Sequence, residues 1–238
     1  MNPVATTSAA LFLAVLTVAA CAPEAANTPK PLVEAVLTKE QQDALTPDEV
    51  IQIFKDGNKR FTTNELTARD HSQQVRNSTT FQYPKAIVLS CVDSRVPVED
   101  VFDRGIGDIF VARVAGNFIN EDILGSMEFA TKVSGAKLVL VMGHEHCGAV
   151  KAAVDDVKLG NITPMLSKIR PAVDEVKYEG DRTSKNTEFV AKVCARNVQR
   201  TIEQIRLRSP IMRKLEEEGA IKIVGAVYDM DDGVVSWL

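Results

Sequence analysis

Leu138-Val-Leu-Val-Met142 is an unbroken apolar run that opens through Gly143 onto His144-Glu-His-Cys147. Five residues are too few for a buried helix, and Val and Leu in that number suit a strand covered on both faces. Ala86-Ile-Val-Leu-Ser90 repeats the pattern and opens onto Cys91-Val-Asp-Ser-Arg95. Asp108-Ile-Phe-Val-Ala-Arg-Val114 reads as another strand, and Ile221 to Tyr228 as the last central one. Val234 to Trp237 reads as an edge strand after the Asp231-Asp-Gly233 turn.

Helical stretches separate these strands. Thr46-Pro-Asp-Glu-Val50 is a strong helix start, with a Thr cap, a Pro in the first turn and two acids, and predicts a helix to about Arg60. Asn120 caps another that Gly135 ends, and a third begins near Cys147. A long helix covers Thr187 to Arg208; Ser209-Pro210 breaks it and starts a shorter one that Gly219 terminates. Residues 62–83 look polar and irregular. Residues 159–185 look like one helix and a polar loop, with Pro164 and Pro171 as breakers. Strands alternating with helices predict an α/β fold: one domain with a mainly parallel central sheet flanked by helices. Ligands of such sheets sit beyond the carboxyl ends of the strands, where both Cys91 and His144 fall.

The start of the chain reads differently. Leu11-Phe-Leu-Ala-Val-Leu-Thr-Val18 is too short to span a bilayer and ends in Val18-Ala-Ala-Cys21. The pattern resembles a bacterial lipoprotein signal over residues 1–20, with Cys21 as the lipidated first mature residue, although residues 1–10 hold no Lys or Arg. Ordinary secretory cleavage nearby and a cytoplasmic protein with a spurious apolar start are the alternatives. The lipoprotein reading makes the protein exported and periplasmic, with a membrane attachment only through a lipid anchor at Cys21. Residues 21–36, rich in Ala, Pro and Thr, read as a flexible tether, and 37–238 as the folded domain. A net charge of −4 with no basic tract gives no footprint for nucleic acid.

Two thiolates and an imidazole, from Cys91, Cys147 and His144, form a donor set that zinc accepts with one position left open for chemistry. His146, next to Cys147, would point elsewhere. Cys147 at a helix N-terminus gains thiolate character from the helix dipole. Asp93 would accept a hydrogen bond from water at the metal or bind the metal itself, and Arg95 can hold that carboxylate in its planar fork. Two plainer readings stand beside this one: an ordinary Asp–Arg loop pair, and a Cys91–Cys147 disulfide in an exported chain. The spacing lacks the His-Glu-x-x-His of metalloproteases and the later Pro-Cys-x-x-Cys of nucleobase deaminases. Cys194, among Val190, Val193, Val198, Ile202 and Ile205, reads as a buried core residue.

Cys91-Val-Asp93-Ser-Arg95-Val-Pro97 together with Gly143-His144-Glu-His-Cys147-Gly148-Ala149 resembles the β-class carbonic anhydrases. The resemblance covers nearly all of residues 45–238, including Gly57-Asn58-Lys-Arg60-Phe61 and Phe110 to Asn117. It implies one zinc per chain on Cys91, His144 and Cys147, with Asp93 and Arg95 as the orienting dyad. It also implies reversible hydration of CO2 to bicarbonate and a proton, with zinc-bound hydroxide as nucleophile. Gln82, nine residues before Cys91, Phe110 and Gly148 take substrate-binding positions by the same resemblance. Val88 stands where members that can close the fourth position usually have Trp, which favours the open form; Phe129 stands where the family often has Tyr. A homodimer, or a multiple of dimers, follows as well. Hydrolysis of carbonyl sulfide or carbon disulfide, which relatives of this fold perform, would use the same ligands.

Overall fold

The computed structural model describes Met1 and residues 32–238. The leader and Cys21 lie outside the described residues. Among the described residues, five strands form one sheet: β1 (Ala86–Ser90), β2 (Ile109–Arg113), β3 (Leu138–His144), β4 (Lys222–Tyr228) and β5 (Val235–Trp237). Their order is β2-β1-β3-β4-β5, with every pairing parallel except the antiparallel β4–β5 edge.

Ten helices surround the sheet among the described residues. Before β1 come α1 (Lys39–Ala44), α2 (Pro47–Thr62) and α3 (His71–Asn77). Two more are α4 (Val98–Val101) and α5 (Glu121–Glu128), the latter continuing into a π-helical turn over Phe129–Val133. After β3 come α6 (Gly148–Val154), α7 (Ile162–Leu166), α8 (Arg170–Glu175), α9 (Thr187–Arg208) and α10 (Pro210–Glu217).

Period-two alternation splits the central strands between two cores. Ile87, Leu89, Val139 and Val141 pack with Leu124 and Met127 of α5, Val198, Ile202 and Ile205 of α9 and Met212 of α10. Ala86, Val88, Leu138, Leu140 and Met142 point the other way, onto Val50 and Phe54 of α2 and Val98 and Val101 of α4. Each fully buried apolar side chain contributes about 1.5–3 kcal/mol. Val50 and Phe54 together therefore outweigh the Thr46 capping box of α2, worth about 1 kcal/mol. Packing decides where α2 lies, and the cap decides where it starts.

Four segments differ from the sequence reading. Residues 62–83 contain α3, whose Asp70 side chain accepts from the Gln73 amide and whose buried Gln74 reaches the Ala35 carbonyl. Thr38 and Gln41 form a capping box that starts the unforeseen α1. Pro164 and Pro171 lie within the first turns of α7 and α8, where an amide has no intrahelical partner to lose, so they begin helices instead of breaking them. Residues 33–36, read as tether, are docked on the body. The Val33 amide donates to the Ala68 carbonyl at 2.9 Å, the Asp70 amide donates to the Val33 carbonyl at 3.1 Å, and the Asn77 amide group reaches the Glu34 carbonyl.

In strand order 2-1-3-4 the chain adds β2 on one side of β1 and β3 on the other, so the winding of the sheet switches between β1 and β3. Chains with this order bind ligands at that switch point, beyond the carboxyl ends of the two strands. Cys91 follows β1 and His144 ends β3.

Candidate metal centre

The loop after β1 is built by its own polar groups. The Arg95 amide donates to Asp93 Oδ1 at 3.0 Å, and the guanidinium closes a two-pronged bond, Nε to Oδ1 at 2.9 Å and Nη2 to Oδ2 at 2.8 Å. Arg113, at the end of β2, clamps the same loop from beneath. Its Nε donates to the Cys91 carbonyl at 2.8 Å, and its Nη2 donates to the carbonyls of Asp93 (2.6 Å) and Val96 (3.1 Å). Sequence reasoning passed over Arg113; the available signal was a charged residue closing an apolar strand.

The second segment turns sharply after β3. His144 is 1% exposed and its Nδ1–H donates to the Glu145 carbonyl at 2.8 Å, which leaves Nε2 as a bare acceptor. His146 has φ +53° and is exposed, so its ring leaves the site, as the spacing predicts. Cys147 then caps α6.

Cys91 Sγ, His144 Nε2 and Cys147 Sγ all lie within 4.8 Å of one another, and all three residues are buried. The two sulfurs are 4.0 Å apart and unbonded, so the fold does not build the disulfide alternative. That separation is close to the roughly 3.8 Å between two thiolates on a tetrahedral ion with metal–sulfur bonds of about 2.3 Å. Among the described residues, His144 Nε2 has no hydrogen-bond partner although it is fully enclosed. A buried polar atom left without a partner is costly, and a metal ion among these donors removes that cost. The residues fit zinc.

The thiols divide one proton unequally. Cys91 is drawn down, first by the hydrogen bond from Cys147 and then, against the cost of burial, by that from the Gly116 amide. Cys147 is pushed up because it holds the shared proton and is buried, which outweighs its place at a helix N-terminus. Arg95 holds the Asp93 carboxyl well below the usual carboxylate range. Asp93 Oδ2 stands 3.8 Å from His144 Nε2, so the ionised carboxylate borders the donor set.

The remaining sequence-predicted residues are dispersed. Gly148 opens α6 beside Cys147, and a Cβ there would meet no described atom within 4 Å beyond its chain neighbours and its own helix. Gln82 is exposed in a groove with Ser78, Phe81 and Gly107. Phe110 pairs with Ile87, three steps before the Ser90–Arg113 pair at the metal end. At about 3.3 Å per residue it sits about 10 Å down the sheet. It lines an open cavity of about 760 Å³ with Ile87, Ile123 and Phe129. One chain brings together Cys91, Asp93, Arg95, His144 and Cys147, but not Gln82 or Phe110.

A family model described as carbonic anhydrase matches residues 86–235. A carbonic anhydrase of Mycolicibacterium smegmatis is 36% identical over 188 residues, covering 76% of this chain and 88% of its own. The chain belongs to the β-class carbonic anhydrases. Carbonic anhydrase 2 of Mycobacterium tuberculosis is 35% identical over 186 residues, covering 76% of this chain and 87% of its own. Among solved structures, the Coccomyxa β-carbonic anhydrase in complex with acetazolamide aligns with a TM-score of 0.63 at 22% identity, over 80% of this chain and 85% of that one. A tetrameric β-carbonic anhydrase of Sordaria macrospora aligns at 0.59 and 20%, over 70% and 90%. At these identities the two structures speak for the fold, and the fold agrees. Hydration of CO2 is the general activity of the family, and this chain is an enzyme of that kind.

Proposed function

We propose that Cys91, His144 and Cys147 hold one zinc ion, and that the protein hydrates CO2 there by direct attack of water. The observation that carries this is the enclosed, unpartnered His144 Nε2 facing two thiols with the Asp93–Arg95 pair at their rim. Zinc bound there supplies an acidified water, ready to react near neutral pH. Asp93 is an acceptor only. It takes a hydrogen bond from the attacking water and thereby aims that water's lone pair at the CO2 carbon. Arg95 keeps Asp93 ionised, so the carboxylate orients the proton without keeping it, and the proton passes to solvent.

Gln82 and Phe110 enter this reading through a second copy of the chain. Among the described residues β2 is an open sheet edge, and beside it Phe129 is 50% exposed with its ring 6.3 Å from that of Phe110. An open edge flanked by aromatic surface favours pairing. A homodimer or a multiple of dimers across this face would carry one copy's Gln82 and Phe110 to the other's metal end.

Metal content, CO2 hydration rate and sedimentation, measured on one preparation, test the reading. About one zinc per chain, activity lost to a chelator and restored by zinc, and a mass of two chains or more are expected. A metal-free protein without hydration overturns the zinc mechanism; a mass of one chain with full activity overturns the shared site. Export with a lipid at Cys21 is a separate part of the proposal. Cys21→Ser should move the protein from the membrane fraction to the soluble one, and an unchanged fraction rejects the anchor.

A further inference from the structure

The buried face of α9 should be apolar throughout, yet Cys194, Asn197 and Thr201 lie on it at positions i, i+3 and i+7, each 4% exposed or less. Each donates to a backbone carbonyl at the metal end of the sheet. Cys194 Sγ reaches the His144 carbonyl at 3.1 Å, Asn197 Nδ2 the Gly116 carbonyl at 2.8 Å, and Thr201 Oγ1 the Asn117 carbonyl at 3.3 Å. His144 is one of the three donors. Gly116 supplies the amide that points at another, with its N–H 3.4 Å from Cys91 Sγ.

The turn so held is left-handed. Gly116 and Asn117 have φ +80° and +41°; glycine takes such a φ freely, whereas at Asn117 it carries a cost that the surroundings must offset. A side chain at Gly116 would meet Ile169 at 2.3 Å, so glycine is what fits the turn there. Close approach brings α9 within reach. A Cβ on Gly143 would stand 2.8 Å from Val198 and 3.0 Å from Cys194 Sγ, and the missing side chain lets the helix lie against β3 one residue before the ligand.

We infer that the Cys194–Asn197–Thr201 stripe is a positioning element for the metal centre, seating the His144 carbonyl and aiming the Gly116 amide at the Cys91 sulfur. The inference rests on the zinc reading above. Groups of this kind behind a metal site commonly change metal affinity by about 10–100-fold when removed. A hydrogen bond to a thiolate also sets how much charge the sulfur gives to the ion, which ordinary core packing does not do.

The test compares the full-length wild type with Asn197→Leu, Cys194→Ala, Cys194→Ser and Thr201→Val. Ile205→Val serves as a control, since Ile205 is fully buried on the same helix and makes none of these bonds. Two readouts are taken beside thermal stability: the half-time of zinc transfer to a chelator, and the sulfur-to-metal absorption of the cobalt-loaded protein. Asn197→Leu and Cys194→Ala should shorten the half-time about tenfold or more and shift the absorption band. Thr201→Val, which keeps the volume and removes one donor, should do so less. Cys194→Ser should restore most of the wild-type half-time, and Ile205→Val should lower stability alone. If Asn197→Leu does not fold, Thr201→Val and the Cys194 pair carry the same test. A wild type that holds neither ion overturns the metal reading and this inference with it. A wild type that holds both, with variants that match it in half-time and band, overturns this inference alone.

Discussion

Asp93 and Asp103 both face arginine, and they differ in what is left over. Asp103 is fully buried. Its oxygens accept from the Thr67 amide at 3.0 Å, the Thr67 hydroxyl at 2.6 Å, Arg69 at 2.6 Å and Arg60 at 2.5 Å. Nothing remains for a ligand. Asp93 takes three bonds, all from Arg95, and turns its Oδ2 toward His144. In both, hydrogen bonds hold the carboxyl well below the usual range; at Asp103 they do so against a burial cost that alone would raise it. A saturated carboxylate ties the chain together, whereas one with a free lone pair at a donor set can act on something else. The same residue pair is a strut at one place and a tool at the other.

The largest effect that sharpens this contrast is expected at the strut. Asp103→Asn leaves Arg60 and Arg69 without their charge partner and should cost about 3–5 kcal/mol. At roughly 2–4 °C per kcal/mol, the melting temperature should fall by about 10 °C, with activity per folded molecule unchanged. A calorimetric scan beside a hydration assay at low temperature checks it, and a variant as stable as wild type would erase the distinction. Asp93→Asn should do the reverse. Hydration should fall about 100-fold through loss of orientation, while zinc content stays the same and the melting temperature moves by no more than a few degrees. Stopped-flow rates decide that, and a fully active variant would make Asp93 a second strut.

The smallest effect is a pH dependence. Asp103 is depressed in the folded state, so its stabilisation is present above the ordinary carboxylate pKa of about 3.9 and is lost as pH falls toward its folded value. The gap in melting temperature between wild type and Asp103→Asn should therefore hold from pH 7 to about 5 and narrow below about 4. A gap constant down to pH 3 would contradict the assignment of that stability to the ionised carboxylate.

Local features were the legible ones. The runs before Cys91 and His144, the Thr46 cap and the helix over Thr187–Arg208 announce themselves because apolar periodicity and capping act over a few residues. Asp93 and Arg95 could be paired on sight because they are two residues apart. The partners of Asp103 come from 34, 36 and 43 residues away, and no spacing reveals them. Arg113 lies 22 residues from the carbonyl it holds. α3 escaped because its one buried anchor is Gln74, a polar residue that reads as surface. Asn197 and Thr201 did leave a trace, as polar residues on an apolar stripe, but their purpose appears only when α9 is laid against the Gly116 turn. Gln82 and Phe110 could be named from resemblance alone, because their use depends on a surface beyond one chain.

The order in which the chain is made gives the α9 stripe a further meaning. All three donors are present once Cys147 has been synthesised, but the helix that seats them begins only at Thr187, forty residues later. At 5–20 residues per second that interval lasts roughly 2–8 s. The donor loops and the helix that backs them are therefore made as separate parts of the chain, and they meet only when the chain folds.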